Sequence, residues 1–239
     1  MAKNKPKLVV LTGAGISAES GLKTFRDSGG LWENFDVMEV ASIDGWHKNQ
    51  KLVLEFYNAR RKQLKDVTTN AAHMAIAEME KYFETTIITQ NVDDLHERAG
   101  SRNIIHLHGE LKKVRSIEYP NLIYLWDGDL QTGDLCEKGH QLRPHIVWFG
   151  EMVPKLEDAI IEISEADKVL IVGTSMQVYP AASLIAYAPG NAEVYYIDPN
   201  PQISYELSMK NKLKVIQEKA TVGVPRLLSE WTKKSLLKK

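Results

Sequence analysis

Two histidines, His106 and His108, stand where an apolar run of the 239-residue chain ends, and Gly109 follows them. The run, residues 104–107, is typical of a buried strand, in which residues two apart point to the same side. An imidazole with an ordinary pKa of about 6.5 can take up and return a proton near neutral pH. A lone histidine more often has a structural role, but the strand end and the adjoining glycine make His108 a candidate general base.

A glycine-rich segment, TGAGISAESG at residues 12–21, follows the first apolar run. Gly13, Gly15 and Ala18 satisfy the spacing G-x-G-x-x-G/A, in which glycine lets the backbone approach a pyrophosphate and a following helix offers its N–H groups. The alternative is a strand-to-helix turn that binds nothing. Residues 25–32 read as a loop, not as the acid-ended strand that a dehydrogenase has about 20 positions further on. We therefore expect a bound nucleotide, but not in the usual dehydrogenase manner.

Polar side chains follow other apolar runs as well. Gln90, Asn91 and Asp93 come after one of them, and residues 173–175 (GTS) and 197–200 (IDPN) stand at the ends of two more. Ligands of open α/β sheets bind at the carboxyl ends of the strands, where such residues suit hydroxyl and phosphate contacts. An alternative role for Asn91 or Asp93 is to cap the helix that follows.

Short runs rich in Val and Ile alternate with helical patterns along the chain, which predicts an α/β fold with a mostly parallel sheet and helices on both sides. The run at 145–149 ends at Gly150; with a free edge it could pair with an extended peptide, and the alternative is an ordinary core strand. The candidate strands are residues 8–11, 85–89, 104–107, 145–149, 168–172, 193–197 and 214–216.

Two segments interrupt this alternation. Residues 28–69 are helical without strand signals, and residues 112–144 carry turn formers in quick succession. We expect these two insertions to build a small domain with a helical part and a short-strand part, and we expect the site in the cleft between the domains. The large domain then comprises residues 1–27, 70–111 and 145–239.

Charge and cysteine content limit the partners and the compartment. Lys and Arg number 30 against 31 acids, a formal net charge of −1, which gives no reason to expect nucleic acid as a partner. Cys136 is the only cysteine, which fits a reducing compartment. The apolar run near the N-terminus is shorter than that of a signal peptide, and no run approaches a membrane span. We expect a cytoplasmic monomer.

Taken together and in order, six segments resemble the sirtuin family of NAD-dependent protein deacylases, and the resemblance spans nearly the whole chain. The segments are GAGISAESGLKTFRD (13–27), TQNVDD (89–94), HLHGEL (106–111), RPHIVWFGE (143–151), GTSMQVYPA (173–181) and IDPNP (197–201). The resemblance implies a Rossmann-like large domain, a small domain formed by two insertions, NAD as a consumed co-substrate, and acylated lysines of proteins or peptides as substrates.

The resemblance also implies roles for particular residues. The cofactor-binding residues would be Gly13, Ala14, Gly15, Ser17, Glu19, Phe25, Arg26, Gln90, Asn91, Asp93, Gly173, Thr174, Ser175, Asn200 and Ala220. Among them, Gln90, Asn91 and Asp93 would hold the nicotinamide ribose, and Ala220 would sit near the adenine. The catalytic residues would be His108, Asn91 and Asp93. The acyl-lysine channel would be lined by Val147 and Phe149.

Tyr57 and Arg60 match the Tyr-x-x-Arg pair of sirtuins similar to the desuccinylating class. A spacing of three puts both on one helix face, where arginine can grip a carboxylate with two hydrogen bonds and tyrosine adds a donor. The alternative is a solvated Arg60 beside a half-buried Tyr57. We therefore expect succinyl and malonyl groups, besides acetyl, among the groups removed.

The chemistry that the resemblance implies begins when the acyl oxygen attacks C1′ of the nicotinamide ribose and expels nicotinamide. His108 then takes a proton from a ribose hydroxyl, and the products are free lysine and O-acyl-ADP-ribose. An NAD-dependent ADP-ribosyltransferase or NAD glycohydrolase would share the first step. A third alternative is a non-catalytic, NAD-sensing binding module.

The chain departs from the family at the structural zinc, which most sirtuins hold with two Cys-x-x-Cys pairs. Residues 113–119 contain no cysteine, and only Cys136 and His140 remain as candidate ligands. We therefore expect no zinc. The small domain would instead be held by packing of Ile117, Tyr119, Ile123, Tyr124, Leu125, Trp126 and Leu135.

Overall fold

The structure is a computed structural model that describes residues 5–23, 31–32 and 35–236. Six parallel strands form its larger sheet: β1 (Lys7–Thr12), β4 (Glu84–Thr89), β5 (Ile104–His106), β9 (Lys168–Val172), β10 (Glu193–Ile197) and β11 (Leu213–Ile216). Their order across the sheet is β11-β10-β9-β1-β4-β5. The predicted α/β fold is confirmed, and six of the seven candidate strands lie in this sheet.

Apolar residues on both faces of β1 explain why the sheet is covered on both sides. Leu8 and Val10 point into one core with α4 (Ala71–Met79) and α9 (Ala220–Leu236), whereas Val9 and Leu11 point into another with α6 (Leu156–Ser164) and α7 (Leu184–Tyr187). All four residues are at most 4% exposed. A run of consecutive apolar residues is the pattern of a parallel strand buried on both faces.

The order of the strands changes direction at β1. The chain moves from β1 to β4 and β5 on one side, then crosses to β9 on the other side. Ligands of open parallel sheets bind at such a switch point, outside the carboxyl ends of the strands. The fold therefore places the glycine-rich loop after β1 at the position where a ligand is expected.

The two inserted segments share one core. The first contributes α1 (Val37–Val40), α2 (Ile43–Lys48) and α3 (Gln50–Asp66), and the second lies in a three-stranded antiparallel sheet of β6 (Gly109–Ser116), β7 (Ile123–Leu125) and β8 (Leu142–Ile146), in the order β7-β6-β8. Tyr57, Trp46 and Cys136 are among the buried residues that join them. The remaining short elements are β2 (Leu31–Trp32), β3 (Phe35–Asp36), α5 (Leu95–Arg98) and α8 (Tyr205–Ser208).

Three local predictions were wrong. The strand predicted at 145–149 is β8, three residues earlier, because it pairs with β6 in the small sheet and not with the parallel sheet. The segment 28–69 contains the short pair β2 and β3. The helix expected after the glycine loop is two 3-10 turns, Ala14–Ile16 and Ala18–Ser20.

In the part of the chain that the structure describes, no helix combines the length and the apolar character needed to cross a membrane.

Candidate active site

A cavity of about 810 Å³ lies between the carboxyl edge of the large sheet and the small domain. The predicted site residues Phe25 and Arg26 lie outside the described residues. All the others line this cavity: Gly13, Ala14, Gly15, Ser17, Glu19, Tyr57, Arg60, Gln90, Asn91, Asp93, His108, Val147, Phe149, Gly173, Thr174, Ser175, Asn200 and Ala220. The structure thus brings together side chains that are widely separated along the chain.

The glycine loop is held by backbone contacts with the loop after β9. The Gly15 N–H donates to the Gly173 carbonyl oxygen over 2.8 Å, and the Gly13 N–H donates to the Val172 carbonyl oxygen over 3.2 Å. A Cβ on Gly15 would lie 2.7 Å from the Cα of Gly173, closer than side chains tolerate. The glycines are therefore needed for the close approach of two loops, and the Gly15 amide serves that contact.

Ser17, Asn91 and Asp93 form a buried hydrogen-bonded cluster in the cavity wall. The Asn91 Nδ2 donates to the Ser17 Oγ over 3.2 Å, and the Ser17 Oγ donates to Asp93 Oδ2 over 3.0 Å. Asp93 Oδ1 also accepts the Leu95 N–H at the start of α5, so the alternative capping role is partly realised. Burial raises the pKa of Asp93, although the Leu95 amide and the Ser17 hydroxyl oppose this. The cluster offers amide and carboxyl groups fixed in position.

Gln90 connects two strand ends across the switch point. Its Nε2 donates to the Thr174 Oγ1 over 3.0 Å, and Thr174 is held in turn because its carbonyl accepts the Tyr196 hydroxyl over 2.8 Å. Gln90 and Thr174 follow β4 and β9, the two neighbours of β1. This bond holds together two strand ends that line the cavity next to the glycine loop.

His108 lies in the turn between β5 and β6, where its ring is oriented by the backbone. The Nδ1 atom is 3.1 Å from the Gln90 carbonyl oxygen, which can only accept, so Nδ1 carries the proton and Nε2 carries the lone pair. The His108 carbonyl accepts the Val147 N–H over 2.9 Å, which fixes the backbone. Burial lowers the pKa of His108, partly opposed by the Gln90 carbonyl. A neutral, oriented imidazole in a cavity has the properties of a general base.

His106, two residues earlier, has a different role. Its Nδ1 faces the Asn91 carbonyl oxygen at 3.3 Å and its Nε2 lies 2.6 Å from Glu97 Oε1. Burial lowers the pKa of His106, but the Glu97 carboxylate more than compensates and the net change is upward. Both imidazoles approach carbonyls of consecutive residues, yet only His108 lines the cavity.

In the cavity wall, the glycine loop contacts the start of α9 through Glu19. Glu19 Oε2 accepts the Thr221 hydroxyl over 2.5 Å, and Lys219 Nζ lies 3.5 Å from Glu19 Oε1. Ala220, between these two partners, is 4% exposed. Asn200 is held by a turn in which its N–H donates to Asp198 Oδ1 over 2.8 Å.

Tyr57 and Arg60, the pair predicted to bind the acyl group, also line the cavity. Tyr57 is fully buried, not half-buried as in the alternative prediction, and its hydroxyl accepts the Trp148 indole N–H over 3.0 Å. The Arg60 guanidinium lies 5.5 Å from the centre of the Phe56 ring, where it is partly exposed. Phe149, at the mouth, is 46% exposed. A ligand can reach the Tyr57 hydroxyl only if the neighbouring side chains part.

Sequence reasoning missed His73, a buried residue next to this site. Its Nε2 is 3.5 Å from the Ser17 Oγ, and its ring lies 5.0 Å from that of His96. Burial, with a contribution from Arg98, lowers the pKa of His73 to about 4. The available signal was the spacing of Asn70 and His73, which form a helix capping box.

The residues of the small domain do not fit a thiolate zinc site. The Cys136 Sγ is buried and donates to the Ser116 Oγ over 3.5 Å, and the ring of His140 lies 5.3 Å from that of Tyr119. Within the described ranges, the one group that meets the spacing for a metal comprises Glu97, His106 and Glu110, outside this region. Gln141 instead joins the 131–142 loop, since its Oε1 accepts the Gly133 N–H and its Nε2 donates to the carbonyls of Gln131 and Leu142.

A parallel sheet with a glycine loop at its switch point, and a cavity closed by an inserted domain, define a Rossmann-like dinucleotide-binding protein. The chain belongs to the Sir2 family, whose model matches residues 13–180. It is 56% identical over 221 residues to an NAD-dependent protein deacylase of Helicobacter pylori, covering 92% of this chain and 95% of the relative.

Solved structures agree with this assignment. A Sir2 homologue in complex with NAD superposes with a TM-score of 0.84 at 38% identity, covering 96% of this chain and 90% of the other. A Sir2 protein bound to an acetylated peptide superposes with a TM-score of 0.78 at 26% identity, covering 95% and 94% of the two chains.

Proposed function

We propose that the chain consumes NAD to remove acyl groups from protein lysines, and that succinyl and malonyl groups are substrates besides acetyl. Nicotinamide and O-acyl-ADP-ribose are the other products. The observation that carries the proposal is His108, a buried, neutral imidazole whose Nδ1 is fixed by the Gln90 carbonyl at 3.1 Å in the wall of the shared cavity. The NAD-dependent deacylases among the relatives support the same activity.

The donor groups of the cavity suit NAD. The glycine loop and the loops after β9 and β10 all line the cavity, and the Ser17–Asn91–Asp93 cluster presents polar groups that suit a ribose. When bound, NAD supplies an electrophilic ribose carbon whose bond to nicotinamide can break. His108 Nε2 then takes the proton of a ribose hydroxyl, which makes that oxygen a nucleophile. A substrate that fills the cavity would displace water that could compete with the acyl oxygen.

Acidic acyl groups are proposed because of Arg60. Its side chain lines the cavity and is partly exposed, and its spacing of three from Tyr57 puts the two residues on the same face of α3. A guanidinium binds a carboxylate with two charge-assisted hydrogen bonds, whereas an acetyl group has no carboxylate. Val147 and Phe149 would enclose the aliphatic part of the acyl-lysine.

The partners follow from the same substrate. Peptides or proteins with acylated lysine fit a cavity whose mouth carries the exposed Phe149. We further propose a cytoplasmic monomer, supported by the single cysteine, Cys136, which cannot form an internal disulfide. The net charge of −1 favours protein over nucleic-acid partners.

Kinetics on matched peptides test the acyl specificity. Arg60→Met should lower the ratio of desuccinylation to deacetylation kcat/KM by about 10- to 100-fold, since a hydrogen bond to a charged group is worth roughly 1.5–3 kcal/mol. Lys62→Met, which removes an exposed cation two residues away, is the control and should leave the ratio unchanged. Equal losses on both peptides in Arg60→Met would exclude a role in acyl recognition.

A further inference from the structure

Side chains that can bind a metal ion meet outside the cavity, where three elements come together. Glu97 lies in α5, His106 ends β5 and Glu110 lies near the start of β6. Each contributes one donor atom, and these three atoms all lie within 4.8 Å of one another. None of the three residues lines the cavity, so the proposed reaction does not use this cluster.

The ring of His106 is oriented so that one of its nitrogens points into the cluster. Its Nδ1 faces the Asn91 carbonyl oxygen at 3.3 Å, and a carbonyl oxygen can only accept, so Nδ1 carries a proton. In the neutral imidazole the lone pair is then on Nε2, which lies 2.6 Å from Glu97 Oε1. The His106 side chain is only 9% exposed, so the two groups are poorly separated by water. A lone pair and a carboxylate this close need a cation between them, either a proton or a metal ion.

The bond from His106 to the Asn91 carbonyl is also what a metal-bound histidine makes. A ligating imidazole commonly donates its other N–H to a carbonyl or carboxylate, which fixes the tautomer and the direction of the ring. Two carboxylates carry the charge that balances a divalent ion. One nitrogen and two oxygens suit Zn²⁺ and related transition-metal ions, whereas Mg²⁺ and Ca²⁺ prefer oxygen alone.

The exposure of the two carboxylates and one competing contact determine how tightly an ion binds. Glu97 and Glu110 are 39% and 27% exposed, so their side chains can rotate to the roughly 3.3 Å donor separations of a tetrahedral zinc ion. Lys113 Nζ lies 2.6 Å from Glu110 Oε2 and has to move away, which its 34% exposure permits. Three ligands and a displaced lysine give weaker binding than a closed four-thiolate site, so the fold does not require the ion.

We propose that Glu97, His106 and Glu110 form a binding site for a divalent transition-metal ion, with His106 Nε2 as the nitrogen ligand. The ion takes the place of the proton between His106 and Glu97. It joins α5 to β6, the strand that leads into the second insertion. Neither Cys136 nor His140 belongs to this group, so it is not a remnant of a thiolate zinc site.

Calorimetric titration of the chelator-treated full chain with Zn²⁺ tests the site. The wild type should bind one ion with a micromolar Kd. His106→Gln and Glu110→Gln should each weaken binding by roughly 10- to 100-fold, because the loss of even an outer hydrogen-bond partner of a ligand has an effect of that size. Glu78→Gln is the matched control: Glu78 also pairs with a lysine three residues further on, Lys81, and its loss should leave the Kd unchanged.

X-ray absorption at the zinc edge identifies the ligands in the wild type, and it carries the test if a variant does not fold. The spectrum should show one imidazole and otherwise oxygen, at about 2.0–2.2 Å, and no sulfur at about 2.3 Å. A sulfur ligand, or binding that is lost in His140→Gln and kept in His106→Gln, overturns the proposal, because the ion would then lie at Cys136.

Two other results of the titration would also overturn the site. One is the absence of binding even at millimolar Zn²⁺. The other is an unchanged Kd in both His106→Gln and Glu110→Gln, which indicates adventitious binding elsewhere on the surface. The titration contains neither NAD nor an acylated peptide, so its failure leaves the proposed function standing, and failure of the proposed function leaves the site standing.

Discussion

Replacing His108 by alanine removes the only described histidine that lines the cavity. The ring is held by a 3.1 Å contact with the Gln90 carbonyl, and its Nε2 is the basic atom. General base catalysis contributes about 10²–10⁴-fold in rate, so His108→Ala should lower kcat/KM for deacylation by that factor. The Ser17–Asn91–Asp93 cluster and the glycine loop do not depend on this ring, so NAD binding should persist.

The pH profile of the wild-type enzyme gives an independent measure of the same residue. Burial lowers the pKa of His108 below its ordinary value of about 6.5. Because the neutral form is the base, activity should be retained as the pH falls through about 6.5 and should be lost only at the lower folded-state pKa. The profile of kcat/KM should therefore have an acid limb with its midpoint below about 6.5.

Product formation under single-turnover conditions, with an acylated peptide and NAD, is the appropriate assay. His106→Gln is the matched control, since His106 lies two residues away but outside the cavity, paired with Glu97. Deacylation by His108→Ala at a rate close to that of wild type would refute the assignment of the base. A control variant that loses as much activity as His108→Ala, while still folded, would refute the distinction between the two histidines.

Three further predictions concern the glycine loop and the small domain. Gly15→Ala should weaken NAD binding, measured by calorimetry, at least tenfold, because its Cβ would lie 2.7 Å from the Gly173 backbone. Gly190→Ala is the control and should leave the affinity unchanged, because there is open space around Gly190. Equal affinities of the two variants for NAD would contradict the close approach of the two loops. Gln141→Ala should lower the free energy of unfolding in urea by about 1–3 kcal/mol, because it removes hydrogen bonds that join the 131–142 loop. Prolonged chelation should leave the melting temperature of the wild type unchanged, and a drop would indicate a structural metal.

Much of the fold could be predicted because its information is local. Leu8 to Leu11 are consecutive apolar residues before a glycine loop, and that pattern alone places a doubly covered strand at a ligand-binding edge. His108 could be predicted as the general base for the same reason, because a residue at the end of a strand is expected to face the cleft. The strand β6 was missed because Lys112, Lys113 and Arg115 interrupt its apolar alternation, and pairing with β7 and β8 outweighs that weak local preference.

Contacts between distant residues could not be predicted from the sequence. The bond from Trp148 to Tyr57 joins residues 91 positions apart, and that from Gln90 to Thr174 joins residues 84 apart. The spacing of apolar residues along the sequence does not predict such contacts, because they depend on how distant segments pack. For the predicted pair of Tyr57 and Arg60, the shared helix face follows from the spacing, whereas the complete burial of Tyr57 depends on the core that both insertions form.

NAD-dependent deacylation is tested most directly by the product stoichiometry of the wild-type enzyme with NAD and a succinyl-lysine or acetyl-lysine peptide, measured by mass spectrometry. We expect equal amounts of nicotinamide, deacylated peptide and O-acyl-ADP-ribose for each peptide. Nicotinamide released together with ADP-ribose but without any deacylated peptide would contradict it and indicate an NAD glycohydrolase instead.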